Sequence, residues 1–322
     1  MMPKLHPFTL EVALLPKAWG GARLAPWYKR QDTGIGEAWL CADLAQTSAS
    51  GAGGQAMQSS VHGSRESLHD VMMHRSELLL GYRRAQFPLL LKFLDAAEPV
   101  SVQVHPSAAY AATHPDVQLK SEVWYVVEST PQAELLIGCE SLVTPEALHD
   151  ATASGTLVSR MTRYPVTSGQ CCWLPSGIVH SLGAGTLVFE VQTASDTTFR
   201  LYDWEQELGR TGRALHVDEG CAATDLALRA QWNEDDAILA VTPDFELRRV
   251  HQGAASVDML FGSGRDARCV ILVALLDGAT LTDGTTVMPL PPHHATLVGA
   301  SILADWVVTC PPDVPLLAVR VA

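Results

Sequence analysis

Two runs near the middle of the chain, SVQVHP at 101–106 and KSEVWYVV at 120–127, alternate polar and apolar residues with the period of a strand. Successive strand side chains point to opposite faces, so Ser101, Gln103 and His105 share one face while Val102 and Val104 turn toward a core. In the second run Lys120, Glu122 and Trp124 share a face, with Val123 and Tyr125 opposite. His180 follows a Pro-Ser-Gly corner in LPSGIVHSLG and leads into the apolar run LGAGTLVFEVQ, the pattern of a turn feeding a long strand. Folded into a barrel, Gln103, His105, Glu122 and His180 converge as two imidazoles, a carboxylate and an amide oxygen. That donor set suits zinc, or iron or another divalent ion where the polyhedron stays partly open.

No member of the set carries this reading alone. A lone strand histidine is more often packed or hydrogen-bonded than ligating. Glu122 is harder to place otherwise, because a carboxylate in an apolar strand is costly unless paired or bound to a cation. The combination points to a metal.

Most other segments are short strands punctuated by glycine and proline, which predicts a mainly β protein of barrels or sandwiches with a few flanking helices. Helices are expected over Ser64 to Gly81, from Thr144 with Pro145 in the first turn, and over Thr224 to Gln231. GQCCWLPSGIVH at 169–180 and GTTVMPLPPHH at 284–294 share a glycine, strand, proline, loop, histidine order. This faint duplication predicts two barrels, a metal-binding one over 1–220 and a smaller one without metal over 240–322. His293 and His294 are assigned to a surface loop, and GSGRDA near Gly262 to a turn.

Composition narrows the function. With 322 residues and 47% apolar content the chain can bury two moderate cores. Its net charge of −13 argues against nucleic acid or an anionic membrane as partner. The N-terminal run and the strand-length apolar segments, VILVALL among them, hold no signal peptide or membrane span, so a cytoplasmic protein is expected. Seven scattered cysteines without a CxxC pair fit small buried residues in a reducing compartment. An anionic substrate would need local cations, and Lys92, Lys120 and Arg200 are the candidates.

FPLLLKFLDAAEPVSVQVHP, KSEVWYVV, WLPSGIVHSLGAG and FEVQTASDTTFRLYDW closely resemble the type I mannose-6-phosphate isomerases in their short bacterial form, from Phe87 to Trp204. PKAWGG and IGEAWL extend the likeness more weakly. The resemblance implies two cupin jelly-roll barrels, one zinc ion, and interconversion of mannose 6-phosphate and fructose 6-phosphate. It places the zinc ligands at Gln103, His105, Glu122 and His180, and the essential arginine at Arg200. Trp19, Glu37, Lys92, Ser101, Lys120, Glu190 and Asp196 fall on positions lining the family's pocket. Two motifs depart: PKAWGG lacks an acidic residue before the tryptophan, which leaves the role of Trp19 open, and KSE replaces KTE, which keeps a hydroxyl.

The isomerisation needs a base that moves a proton between C1 and C2, and Glu190, Lys120 and a metal-bound water are the candidates. Arg200 suits either a developing oxyanion or the phosphate, with a salt bridge to Asp196 or Asp203 as the alternative reading. Two other functions fit the residues less fully: an Fe(II) cupin dioxygenase, and a non-catalytic cupin that binds a sugar phosphate. The expected partner is a small sugar phosphate, and the expected state is a monomer or homodimer.

Overall fold

The structure is a computed structural model and describes residues 5–44, 57–142 and 144–322. The mainly β architecture follows the sequence expectation. A seven-stranded antiparallel sheet runs in the order Gln231–Asn233, Cys171–Leu174, Glu122–Ser129, Thr186–Thr193, Leu89–Ala96, Ala13–Gly21 and Ile35–Cys41. Facing it is a five-stranded sheet in the order Arg163–Pro165, Glu134–Ile137, His180–Leu182, Val102–Val104 and Phe199–Tyr202. Leu94, Trp124, Val126 and Leu174 from the first sheet pack against Leu135, Ile137 and Leu182 from the second. Register matters here, because a slip of one residue would turn the polar row of Glu122 and Glu190 out of this interior.

The outer faces are apolar for a different reason: each is covered. Leu91, Phe93, Val123, Phe189 and Val191 share a core with Phe245, Leu247, Ile271 and Val319 of the C-terminal sheets. Val102, Val104, Phe199 and Leu201 pack under helices Pro145–Ala153 and Val217–Ala223, through Leu148, Ala151, Cys221 and Ala223. The C-terminal region repeats the layering with a six-stranded and a four-stranded sheet, whose inner faces meet through Leu272, Leu281, Val308 and Leu316. The N-terminal strand Phe8–Thr9 crosses to that six-stranded sheet and pairs with Thr296–Val298.

Three local expectations change. The first long helix begins at Leu68 rather than near Ser64, because Ser67 and Asp70 form a reciprocal capping box, and it ends at Gly81 with φ of 85°. The helix from Pro145 is capped by Thr144 as expected. No helix spans Thr224 to Gln231: the helix there is Val217–Ala223, and Gln231–Asn233 adds an edge strand beside Cys171–Trp173. His293 is no surface residue. It is buried and stacks on Trp27, with ring centroids 3.7 Å apart, because the loop that carries it closes the contact between the two sheet pairs. GSGRDA is irregular turn structure, as expected.

Candidate metal centre and sugar pocket

Cross-strand pairing sets the site. Residues opposite one another in adjacent strands share a face. Arg200 pairs with Gln103, and Gln103 with His180, so these three form one row across the five-stranded sheet. On the facing sheet Trp124, Glu190, Lys92 and Trp39 form a second row, with Glu122 two residues along from Trp124 on the same face. His105 lies one residue beyond the end of strand Val102–Val104. Ser176, at the Pro-Ser-Gly corner, accepts a hydrogen bond from Lys120 N at 2.9 Å and donates one to Pro106 O at 2.5 Å, tying three separate segments together.

One donor atom from each of His105, Glu122 and His180 lies within 4.8 Å of the others, and all three side chains are buried. Glu122 Oε1 is 3.0 Å from His180 Nε2, and Glu122 Oε2 is 3.3 Å from His105 Nε2. The Nδ1 atoms face backbone carbonyls, Thr197 O for His105 and Ile178 O for His180, each at 2.9 Å. A carbonyl only accepts, so the hydrogen-bond network places a ring proton on each Nδ1 and turns each Nε2 toward the carboxylate. Both oxygens of Glu122 lack a well-aligned hydrogen bond. The three residues offer acceptors only, Lys120 offsets part of the charge on Oε2 alone, and two imidazoles with a carboxylate fit zinc. The Gln103 amide nitrogen, Nε2, donates toward His180 Nε2 at 3.3 Å, and turning that amide over would bring its oxygen to the cluster.

The electrostatics agree. Burial, and then Lys120, push the His105 imidazole down to about 3, so it stays neutral and able to donate its lone pair at ordinary pH. Burial opposes ionisation of Glu122, but Lys120, His105 and His180 outweigh it and hold the carboxyl well below its usual range. Lys120 Nζ sits 3.0 Å from Glu122 Oε2 and 3.1 Å from His105 Nε2, at the mouth of the cluster.

Beyond the cluster is a cavity of about 180 Å³, lined by Trp19, Glu37, Lys92, Ser101, Gln103, Lys120, Glu190, Asp196 and Arg200 among others. The pocket residues singled out from sequence are thus brought to one place. Lys92 Nζ is 3.0 Å from Glu190 Oε1, and Trp124 Nε1 donates to Glu190 Oε2 at 2.8 Å. Glu37 accepts from Trp39 Nε1 at 2.6 Å and lies 3.3 Å from Lys17 Nζ. Burial acts against charge on Lys92, yet Glu190 and Glu37 raise its pKa above the ordinary lysine range. Arg200 donates from Nη1 to Ala214 O at 3.0 Å and lies 4.0 Å from Asp203, one of its two candidate partners. Sequence reasoning missed Lys17, Trp39, Thr198 and Arg213 in the same lining. It also missed the carbonyls of Thr197 and Ile178, since a backbone acceptor leaves no mark in residue type.

Residues 8–137 match the family model for the catalytic domain of type I phosphomannose isomerase. A mannose-6-phosphate isomerase of Streptococcus mutans is 35% identical over 66% of this chain and 66% of its own length. A probable mannose-6-phosphate isomerase of Bacillus subtilis is 34% identical over 66% of this chain and 67% of its own. The sequence match thus spans about two thirds of these relatives. The fold extends further: a Bacillus subtilis mannose 6-phosphate isomerase superposes with TM-score 0.78 at 22% identity, covering 98% of this chain and 99% of that one. A zinc-bound mannose 6-phosphate isomerase gives TM-score 0.70 at 16% identity over 98% and 99%. The sequence matches, with the same fold over nearly the whole chain, show that this protein belongs to the type I phosphomannose isomerases, a family of aldose-ketose isomerases.

Proposed function

We propose that this chain interconverts mannose 6-phosphate and fructose 6-phosphate through an enediolate, with one zinc ion held by Gln103, His105, Glu122 and His180. The observation that carries the reading is the buried, acceptor-only cluster of His105, Glu122 and His180 opening onto a cavity with five cationic side chains. A structural neighbour binds zinc in the same fold, which supports the choice of metal. Bound there, zinc supplies Lewis acidity toward a sugar oxygen.

The chain's own groups divide the remaining work. Lys120 and Glu190 are two of the titratable side chains that line the cavity, and we assign to one of them the transfer of the proton between C1 and C2. Arg200, in the same row as Gln103, presents a permanent cation to charge developing on the substrate. Trp19, Trp39 and Trp124 wall the cavity and exclude water. The enclosure also disfavours an oxygen-activating iron site, which has no use for this many cations. A coupled assay of purified protein on mannose 6-phosphate, with and without chelator, tests the reading. Turnover abolished by chelator and restored by zinc is the expected result; a metal-loaded protein that binds the sugar phosphate without turning it over refutes it. The seven cysteines are all buried and unbridged, which supports a reducing, cytoplasmic setting.

A further inference from the structure

Arg200 lies on Phe199–Tyr202, the end strand in the order of the five-stranded sheet, so its backbone edge away from Val102–Val104 needs another partner. Residues 214–216, which carry no regular structure, supply it. His216 N donates to Arg200 O at 2.7 Å, and Arg200 N donates to His216 Nδ1 at 3.2 Å. The guanidinium meets the same segment, through Nη1 to Ala214 O at 3.0 Å. The near end of the segment is fastened as well. Arg213 Nε donates at 2.6 Å to Asp203, a carboxylate that also has Arg210 at 3.9 Å and Arg200 at 4.0 Å. One short strap thus grips Arg200 at its amide, its carbonyl and its charged head. Ala214 and Leu215 are exposed, so these bonds rather than apolar burial fix the strap.

Two of the three contacts use the strap's backbone, which any residue type could offer. The third needs a particular side chain. An amide N–H only donates, so His216 Nδ1 must present a lone pair, and the proton of the neutral ring belongs to Nε2. This is the reverse of His105 and His180, whose Nδ1 atoms face carbonyls. Phe199 packs against the imidazole with ring centroids 6.2 Å apart. Burial, and then Arg200, hold the His216 pKa below the ordinary histidine value, against the opposing pull of Glu219 on its own helix. Of the other charged and titratable groups nearby, Asp218 pairs with His149 at 3.1 Å, and the Glu219 charge also reaches Tyr110. Protonation of His216 puts a second donor against the Arg200 amide and opens the clamp.

We propose that His216 is a positioning residue, whose Nδ1 lone pair fixes the edge of the Arg200 strand and so holds the guanidinium in the cavity, tying turnover to a neutral imidazole; this rests on the isomerase reading above. Zinc-loaded His216→Ala and His216→Asn proteins test it, with metal content and thermal unfolding measured alongside. An asparagine Oδ1 can accept the same bond but does not titrate. A displaced guanidinium predicts that His216→Ala lowers kcat for mannose 6-phosphate about 10- to 100-fold with zinc still stoichiometric, the loss falling on kcat rather than KM. His216→Asn recovers most of that loss. As pH falls below about 6.5, the turnover of His216→Asn relative to wild type rises, because only the wild-type clamp can be protonated. Wild-type kcat in His216→Ala overturns the assignment, as does a ratio that stays constant down to about pH 5. Should His216→Ala fail to fold, the pH ratio for His216→Asn decides. Hydrogen exchange at the Arg200 amide needs no turnover. At a fixed pH it is expected to speed about 2- to 10-fold in His216→Ala, the worth of one hydrogen bond, and to stay near wild type in His216→Asn. Unchanged protection in His216→Ala overturns the clamp. An inactive wild type would refute the isomerase reading, and amide exchange would still decide whether His216 holds the Arg200 strand.

Discussion

Glu122 Oε1 and His180 Nε2 face each other at 3.0 Å inside the protein, and the proton that could bridge them is committed to Ile178 O through Nδ1. Two electron-rich atoms at this separation repel unless a cation lies between them, and Lys120 reaches the other carboxylate oxygen, Oε2, instead. Metal binding is thereby coupled to stability. With free zinc at a hundred times its dissociation constant, the native state gains about 2.7 kcal/mol. Chelation is expected to lower the melting temperature of the wild-type protein, and His180→Ala to abolish that chelator-dependent shift along with bound zinc. Differential scanning calorimetry with metal analysis checks both.

Arg200 is paired with none of the three clustered residues in this way, and its buried guanidinium hydrogen-bonds Ala214 O instead. Loss of an oriented charge partner in a closed site costs about 100- to 1000-fold in turnover. Arg200→Ala is expected to lose kcat by that order while retaining stoichiometric zinc. Near-normal turnover in the variant would remove Arg200 from the mechanism.

Lys92 and Glu190 form a buried pair, with side chains 10% and 3% exposed. Removing one partner leaves the other charge uncompensated, at a cost of about 3–5 kcal/mol. Lys92→Met should therefore destabilise strongly, and adding Glu190→Gln should recover much of the loss. Urea unfolding of the single and double variants measures the coupling, and additive effects would show that the pair is not coupled.

Glu37 sets an acid dependence. Burial opposes its ionisation, but Lys92, Lys17 and the Trp39 hydrogen bond outweigh that and hold its pKa below the usual glutamate value. A depressed native pKa contributes stability that is present above the unfolded value, about 4.3, and lost as pH falls through the native one. Glu37→Gln should consequently flatten the fall in urea midpoint below about pH 4.3 relative to wild type. Parallel curves for the two proteins would contradict this.

Gly36 shapes the wall beside that group. A Cβ there would come within 2.7 Å of Trp19 Cζ3 and of Lys17 Cβ. Gly36→Ala is expected to displace Trp19 or Lys17 and raise KM, with zinc content unaffected. Steady-state kinetics with metal analysis distinguishes this from a loss of the metal centre.

Much of the site was legible because strands print their facing on the sequence. The alternation in SVQVHP and KSEVWYVV alone placed Gln103, His105 and Glu122 on interior faces, and the corner before His180 marked its approach. The capped helix from Pro145 was equally plain, since Thr and Pro act locally. Where local signals competed, reading failed: residues 224–231 have helical composition, but edge pairing with Cys171–Trp173 takes the end of that segment into the sheet. His293 looked like a loop residue because the Trp27 that buries it lies far away in the chain.

By itself the sequence determined the strand faces, the residue types of the candidate metal cluster and the kinship, all of which depend on residue identity and short-range periodicity. Only the tertiary structure decided that Thr197 and Ile178 orient the two imidazoles, that Asp203 gathers three arginines, and that Arg213 reaches the cavity at all. Those relationships join residues through backbone carbonyls and long-range strand order, and a side-chain pattern along one strand carries no record of which distant strand lies beside it.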